Sequence, residues 1–243
     1  MIKWLNAVID VPAADFEVAK RFWPAITNTR LGDVHPDHDE FIHLLPELGN
    51  MHLELQRIED GPARAHLDLL VEDIPAATER AVALGATLVA RPGHAVLTTP
   101  SGMYFCIVPY SGEADRAPVI DSDAPHAVDQ ICLDIPHDSF EADVAFWSEL
   151  SGWDVNPVKR PEYRSFAQPK ALPLRLLVQQ LGADDAGGPR AHLDISAGEH
   201  VGVVADRHHN EGATIVEQTE FWSVLNGPGG QTYCVTARPP ATS

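Results

Sequence analysis

Asp10-Val11-Pro12-Ala13-Ala14-Asp15-Phe16-Glu17 is answered 124 residues later by Asp134-Ile135-Pro136-His137-Asp138-Ser139-Phe140-Glu141. Phe22-Trp23 returns at the same offset as Phe146-Trp147. The pentapeptide Arg64-Ala65-His66-Leu67-Asp68 recurs unchanged as Arg190-Ala191-His192-Leu193-Asp194. Gly85-Ala86-Thr87 maps to Gly212-Ala213-Thr214, and Pro100-Ser101-Gly102 with Cys106 to Pro228-Gly229-Gly230 with Cys234. Matches this colinear make the chain a duplication, and a fold written twice must be built twice. Residues 1–110 and 126–238 are the two copies, 111–125 an acidic linker with two prolines, and 239–243 a tail.

Each copy alternates strand and helix periods. Residues 4–11 read as a strand, with Ala7, Ile9 and Val11 on one face and Asn6, Val8 and Asp10 on the other. Phe16, Ala19, Trp23 and Ile26 follow helical spacing. Strand-like runs at 29–34, 40–45 and 50–58 complete a βαβββ module. A second module follows, with strand 64–71, helix 76–84 and strands 87–90, 95–99 and 103–109. The fold class is therefore α+β, two tandem domains, each of two βαβββ modules with eight strands and two helices.

Alternation also assigns faces. In copy one Leu53, Leu55, Leu67 and Leu69 should meet the helices. Asn6, His52, Glu54, Gln56, His66, Asp68, Tyr104 and Cys106 share the opposite face. Copy two carries Gln130, Cys132, Arg175, Leu177, Gln179, His192, Asp194, Thr232 and Cys234 there, with Trp222 on the neighbouring strand. Such a face lines either solvent or a cleft. His66 and His192 read either as packed strand histidines or as ligand contacts. Trp222 reads as a surface residue or a stacking platform. Cys106 and Cys234 read as small buried hydrophobes or, beside a base, as nucleophiles. Trp23 and Trp147 belong to the core. His208-His209 are placed on an exposed helix end, and His35 and His38 in an acidic loop.

These motifs, in order and twice, resemble the vicinal oxygen chelate superfamily, in its glyoxalase-like and bleomycin-resistance branch. The resemblance implies a half-barrel cleft in each domain and metal ligands on the first, fourth, fifth and eighth strands, usually His, Glu, His and Glu. Carried over, those positions hold Asn6, Glu54, His66 and Cys106 in copy one, and Gln130, Leu177, His192 and Cys234 in copy two. Neither set is complete, so no cofactor is expected. A divalent metal on His52, Glu54 and His66 in copy one is the exception kept open.

A net charge of −18 over 243 residues repels nucleic acid and anionic membranes. Three cysteines without CxxC pairing form no disulfide framework, and no apolar run reaches the ~18 residues of a membrane span. A cytoplasmic monomer or homodimer with a small-molecule partner is expected. The leading function is binding of a planar or anionic metabolite or drug, with Asn6, His52, Glu54, His66, Tyr104, Cys106, Gln130, Arg175, His192 and Trp222 as contacts. The alternative is a lyase, isomerase, cyclase or dioxygenase, either metal-assisted or using His66 or Glu54 as general base.

Overall fold

The computed structural model describes residues 1–34, 38–91, 93–120 and 122–240. His35 lies outside them. Copy one contains β1 (Ile2–Pro12), α1 (Phe16–Thr27), β2 (Thr29–Leu31), β3 (Phe41–Pro46), β4 (Leu53–Ile58), β5 (Arg64–Val71), α2 (Ile74–Ala83), β6 (Thr87–Ala90), β7 (Ala95–Thr98) and β8 (Tyr104–Pro109). Copy two contains β9 (Ala127–Ile135), α3 (Phe140–Ser151), β10 (Tyr163–Ser165), β11 (Arg175–Gln180), β12 (Arg190–Ser196), α4 (Val201–Asn210), β13 (Thr214–Gln218), β14 (Trp222–Asn226) and β15 (Thr232–Thr236). The strand orders are β2-β3-β4-β1-β5-β8-β7-β6 and β10-β11-β9-β12-β15-β14-β13. No helix among the described residues is long and apolar enough to cross a membrane.

The second sheet has seven strands, not the eight the repeat predicts. Where β2 has its counterpart, Val155 pairs with Phe166 as an isolated antiparallel bridge. The Asn156 amide still bonds to Ser165 O at 2.8 Å. Among the described residues the pairing is not continued as a strand beyond that bond.

Local chemistry starts and stops the repeated helices alike. Pro12 and Pro136, both near φ −50° and ψ +140°, each lead into a single 3-10 turn. That turn delivers Phe16 and Phe140, both buried, to the first position of α1 and α3. Asn28 (φ 50°) ends α1 and Gly152 (φ 75°) ends α3, both in the left-handed region open to Asn and Gly. Asp73 caps α2 by accepting from the Ala76 amide at 3.0 Å.

The chain folds into two compact units, each drawing on both copies. One comprises Met1–Asn6, His66–Ala114 and Ile131–Ala191; the other comprises Ala7–Ala65, Asp115–Gln130 and His192–Ser243. In the first, Phe146 and Trp147 of α3 stand edge-on to Phe105 of β8, with centroids 5.8 and 5.3 Å apart. Asp143, fully buried on α3, accepts from Thr99 Oγ1 (2.9 Å), the Ser101 amide (3.0 Å) and Ser101 Oγ (2.6 Å). Burial pushes its carboxyl above the ordinary range, and those three bonds hold it back.

In the second unit Phe22 and Trp23 of α1 pack on Tyr233 of β15, at 6.2 and 5.4 Å. Buried Asp129 takes both ends of the Arg238 guanidinium, and buried Asp10 takes Arg64 Nε at 2.7 Å. The linker is tied down in this unit. Asn50 and Asp115 exchange two bonds, and Gly49 (φ 83°) passes so close to Arg116 that a Cβ would lie 2.6 Å from its carbonyl oxygen.

His208 is not on an exposed helix end. It is 2% exposed, its Nδ1 lies 3.1 Å from the Tyr233 hydroxyl, and its ring meets that of His126 at 5.8 Å. Position 208 falls on the apolar stripe of α4 with Val201, Val204 and Ala205, and that placement overrides the polarity of the side chain. Burial, helped by His126, pushes its pKa down to about 3. The folded protein thus keeps His208 neutral while the unfolded chain takes up a proton below about pH 6.5. Its contribution is whole above that pH and is lost, at up to about 1.4 kcal/mol per pH unit, as the pH falls toward the folded pKa. Chemical denaturation at pH 7, 6 and 5 should show a shallower pH dependence in His208→Asn than in the parent; equal slopes would contradict the assignment.

Candidate functional site

Parallel pairing of β5 with β8 sets Leu67 against Phe105 and Asp68 against Cys106. Leu67 and Phe105 are fully buried on the core side. The alternate residues, His66, Asp68 and Cys106, project from the other face and are each only 8% exposed. In the other unit β12 and β15 repeat the arrangement, with Asp194 against Cys234. The same three residue types converge in both: the donor atoms of His66, Asp68 and Cys106, and those of His192, Asp194 and Cys234, lie within 4.8 Å of one another. His66 Nε2 is 3.5 Å from Asp68 Oδ1, and His192 Nε2 is 3.4 Å from Asp194 Oδ1.

Asn6 (3% exposed) joins the first unit and Gln130 (7%) the second. The Gln130 side-chain amide donates to Asp194 Oδ2. Burial pushes the Cys106 thiol up; the Asp68 charge adds to this, and His66 opposes it. A face read from sequence as open either to solvent or to a cleft is therefore sheltered at its centre. Tyr104 and Arg175 in the first unit are exposed, the former at 46%, and Trp222 in the second is 36% exposed.

The set His52, Glu54 and His66, kept as the exception for a metal, is not the grouping that forms. His52 Nε2 lies 3.0 Å from the Val128 carbonyl oxygen. Burial lowers its pKa, so the ring stays neutral and Nε2 carries the proton in that bond. Glu54, buried on β4, faces His43 of β3 at 3.7 Å, its direct partner in the antiparallel register. Sequence reasoning passed over His43, although its alternation with buried Ile42 and Leu44 marks the face it shares with Glu54. It also counted only one donor on each fifth strand. The His-x-Asp spacing that places Asp68 and Asp194 beside their histidines was present in the unchanged pentapeptide.

A profile described as the glyoxalase-like domain matches residues 6–108 and again 130–236. The chain belongs to the glyoxalase-like domain family. No curated protein matches it in sequence. Among solved structures it is similar to the 2,2',3-trihydroxybiphenyl 1,2-dioxygenase of a dibenzofuran-degrading Sphingomonas wittichii (TM-score 0.63, 12% identity, covering 100% of this chain and 98% of that one). It is also similar to a Mn(II)-bound glyoxalase from Novosphingobium aromaticivorans (0.62, 17%, 95% and 80%). A mutant homoprotocatechuate 2,3-dioxygenase from Brevibacterium fuscum is a third (0.65, 14%, 97% and 71%). At these identities the likeness is one of fold.

The donors present do not fit a hard ion such as Mn(II). Such ions take carboxylate, carbonyl and water oxygens with imidazole, whereas each cluster here offers a thiol. The burial difference between the two thiols has a direct readout. A slow alkylating reagent at neutral pH should label half-buried Cys234 before Cys106, as followed by peptide mass spectrometry; preferential labelling of Cys106 would contradict the sheltered face.

Proposed function

We propose that the chain is a binding protein of the glyoxalase and bleomycin-resistance type, which takes a small planar or anionic molecule against its polar sheet faces without Mn(II)- or Fe-type chemistry. One observation carries this reading: Asn6, His66, Asp68 and Cys106 are polar or polarizable groups on a strand face, yet all are 8% exposed or less. A few convergent polar groups withdrawn from water orient a small molecule in an otherwise apolar site. The second unit carries Gln130, His192, Asp194 and Cys234 at the matching positions, Gln130 and Asp194 buried and His192 and Cys234 half-buried.

Exposed Arg175 suits an anionic group and exposed Trp222 a flat ring. The copies at 1–110 and 126–238 then supply one face each, and residues 111–125 join them. A charge of −18 keeps nucleic acid off such a protein.

The enzyme reading is favoured by Glu54, a buried carboxylate beside His43 that could serve as a general base, as could His66. A panel of aromatic carboxylates and catechols, screened by calorimetry with and without EDTA, separates the two. Binding that survives EDTA and falls at least about tenfold in Arg175→Ala, Trp222→Ala or His66→Ala supports the binding protein. Turnover of the bound compound that disappears in Glu54→Gln while affinity holds would make the enzyme reading the correct one. Binding unaffected by all three alanine variants would refute the site.

A further inference from the structure

The turn before the last strand of each copy has the same backbone bonds and different side chains. In copy one the Thr99 amide donates to Met103 O and the Gly102 amide to Thr99 O, both at 2.9 Å. In copy two the Gly227 amide donates to Gln231 O and the Gly230 amide to Gly227 O, both at 2.8 Å. A buried carboxyl closes the turn of copy one: Asp143 accepts from the Ser101 amide and from the Thr99 and Ser101 hydroxyls. In copy two Ala19 stands in the place of Asp143, Gly227 and Gly229 in those of Thr99 and Ser101, and Gln231 in that of Met103. The carboxyl and both hydroxyls are gone, and an amide has replaced a thioether. A Cβ on Gly229 would lie 2.7 Å from Gln231 Nε2, and one on Gly227 would lie 3.2 Å from Gln231 Oε1 and from the Phe22 ring. The Gln231 amide therefore lies across the turn, beside the Phe22 ring of α1.

Gln231 is 3% exposed, and neither its Nε2 nor its Oε1 meets a protein partner. The Gly229 amide lacks the acceptor that Ser101 has, and among the described residues no other group replaces it. Buried donors and acceptors rarely stay unbonded, because each carries the full cost of leaving water. We infer that the space between the 227–231 turn and Ala19 of α1 is an interior binding site for a small neutral hydrogen-bonding molecule, water in solution, standing where copy one has the Asp143 carboxyl. Gln231 supplies a donor and an acceptor and Gly229 a donor, in keeping with the roughly two to four partners of a buried water. The guest is neutral, since the turn brings no charge to offset burial of an ion. Burial disfavours the ionised form even of Asp143, which has its hydrogen bonds in place. Water bound there joins α1 to the turn between β14 and β15, as Asp143 joins α3 to the turn between β7 and β8.

The site uses none of the polar sheet-face residues, so it stands or falls apart from the small-molecule reading. Magnetisation transfer from water to the isotope-labelled full chain tests it, with rotating-frame spectra separating bound water from chemical exchange by sign. The Gln231 side-chain amide and the Gly229 amide should both show cross-peaks to a long-lived water, and the Ser101 amide none. The triple variant Ala19→Asp, Gly229→Ser and Gln231→Met refills the place with the side chains of copy one. It should lose the cross-peak at position 229 while its near-ultraviolet circular dichroism stays that of the folded chain. Absence of the cross-peaks in the parent, or a cross-peak at position 229 that survives in the folded variant, would overturn the assignment. If the variant does not fold, the parent spectra decide alone.

Discussion

Each compact unit depends on an aromatic wedge that one copy presents to the other. Phe146-Trp147 on α3 closes on Phe105 of β8, and Phe22-Trp23 on α1 closes on Tyr233 of β15. The wedges are nearly solvent-free, and aromatic groups of this size carry the largest apolar area a side chain can bury. A single copy would leave its Phe-Trp pair without the strand it packs on. That requirement gives the duplication a physical reason: neither copy completes a core from its own residues, so each unit takes the first module of one copy and the second of the other.

With the wedge as common framework, the copies have diverged in matched pairs. Tyr233 stands where copy one has Phe105, and its hydroxyl meets His208; the position matching His208 in copy one is Ala81, also buried. Asp143 on α3 finds Thr99 and Ser101, whereas the matching Ala19 on α1 corresponds to a turn with Gly227 and Gly229. At Gly227 a Cβ would approach the Phe22 ring to 3.2 Å, so the glycine makes room for the wedge. In both pairs the buried polar group meets its partner within the same unit, which offsets the cost of burying it. The site faces followed a different course. The first strands both hold an amide, Asn6 or Gln130, and the eighth strands both hold a thiol, Cys106 or Cys234.

Much of this was legible in the sequence, because the repeat doubles every local signal. β5 at Arg64–Val71 and β6 at Thr87–Ala90 start and end where alternation places them, and Trp23 and Trp147 are core as their helical spacing requires. Period-two alternation also put Asn6, His66, Asp68 and Cys106 on one face. What alternation cannot give is whether a second layer shelters that face, or which partner a side chain finds at long range. Asp143 and Thr99, 44 residues apart, His52 and Val128, 76 apart, and the burial of His208 against Tyr233 all depend on contacts between copies. The eighth strand of copy two, the counterpart of β2, is reduced to a single bridge between Val155 and Phe166, a local loss that a repeat argument cannot foresee.

The central claim is that the faces of His66 and His192 receive the ligand, while the more deeply buried His208 serves only the core. Long-range proton–nitrogen correlation spectra of the imidazole rings test it most directly, recorded with and without the tightest binder of the aromatic carboxylate and catechol panel. The account predicts that the ring nitrogens of His66 and His192 shift on saturation and those of His208 do not. Shifts confined to His208, or none at His66 and His192 under saturating ligand, would contradict it.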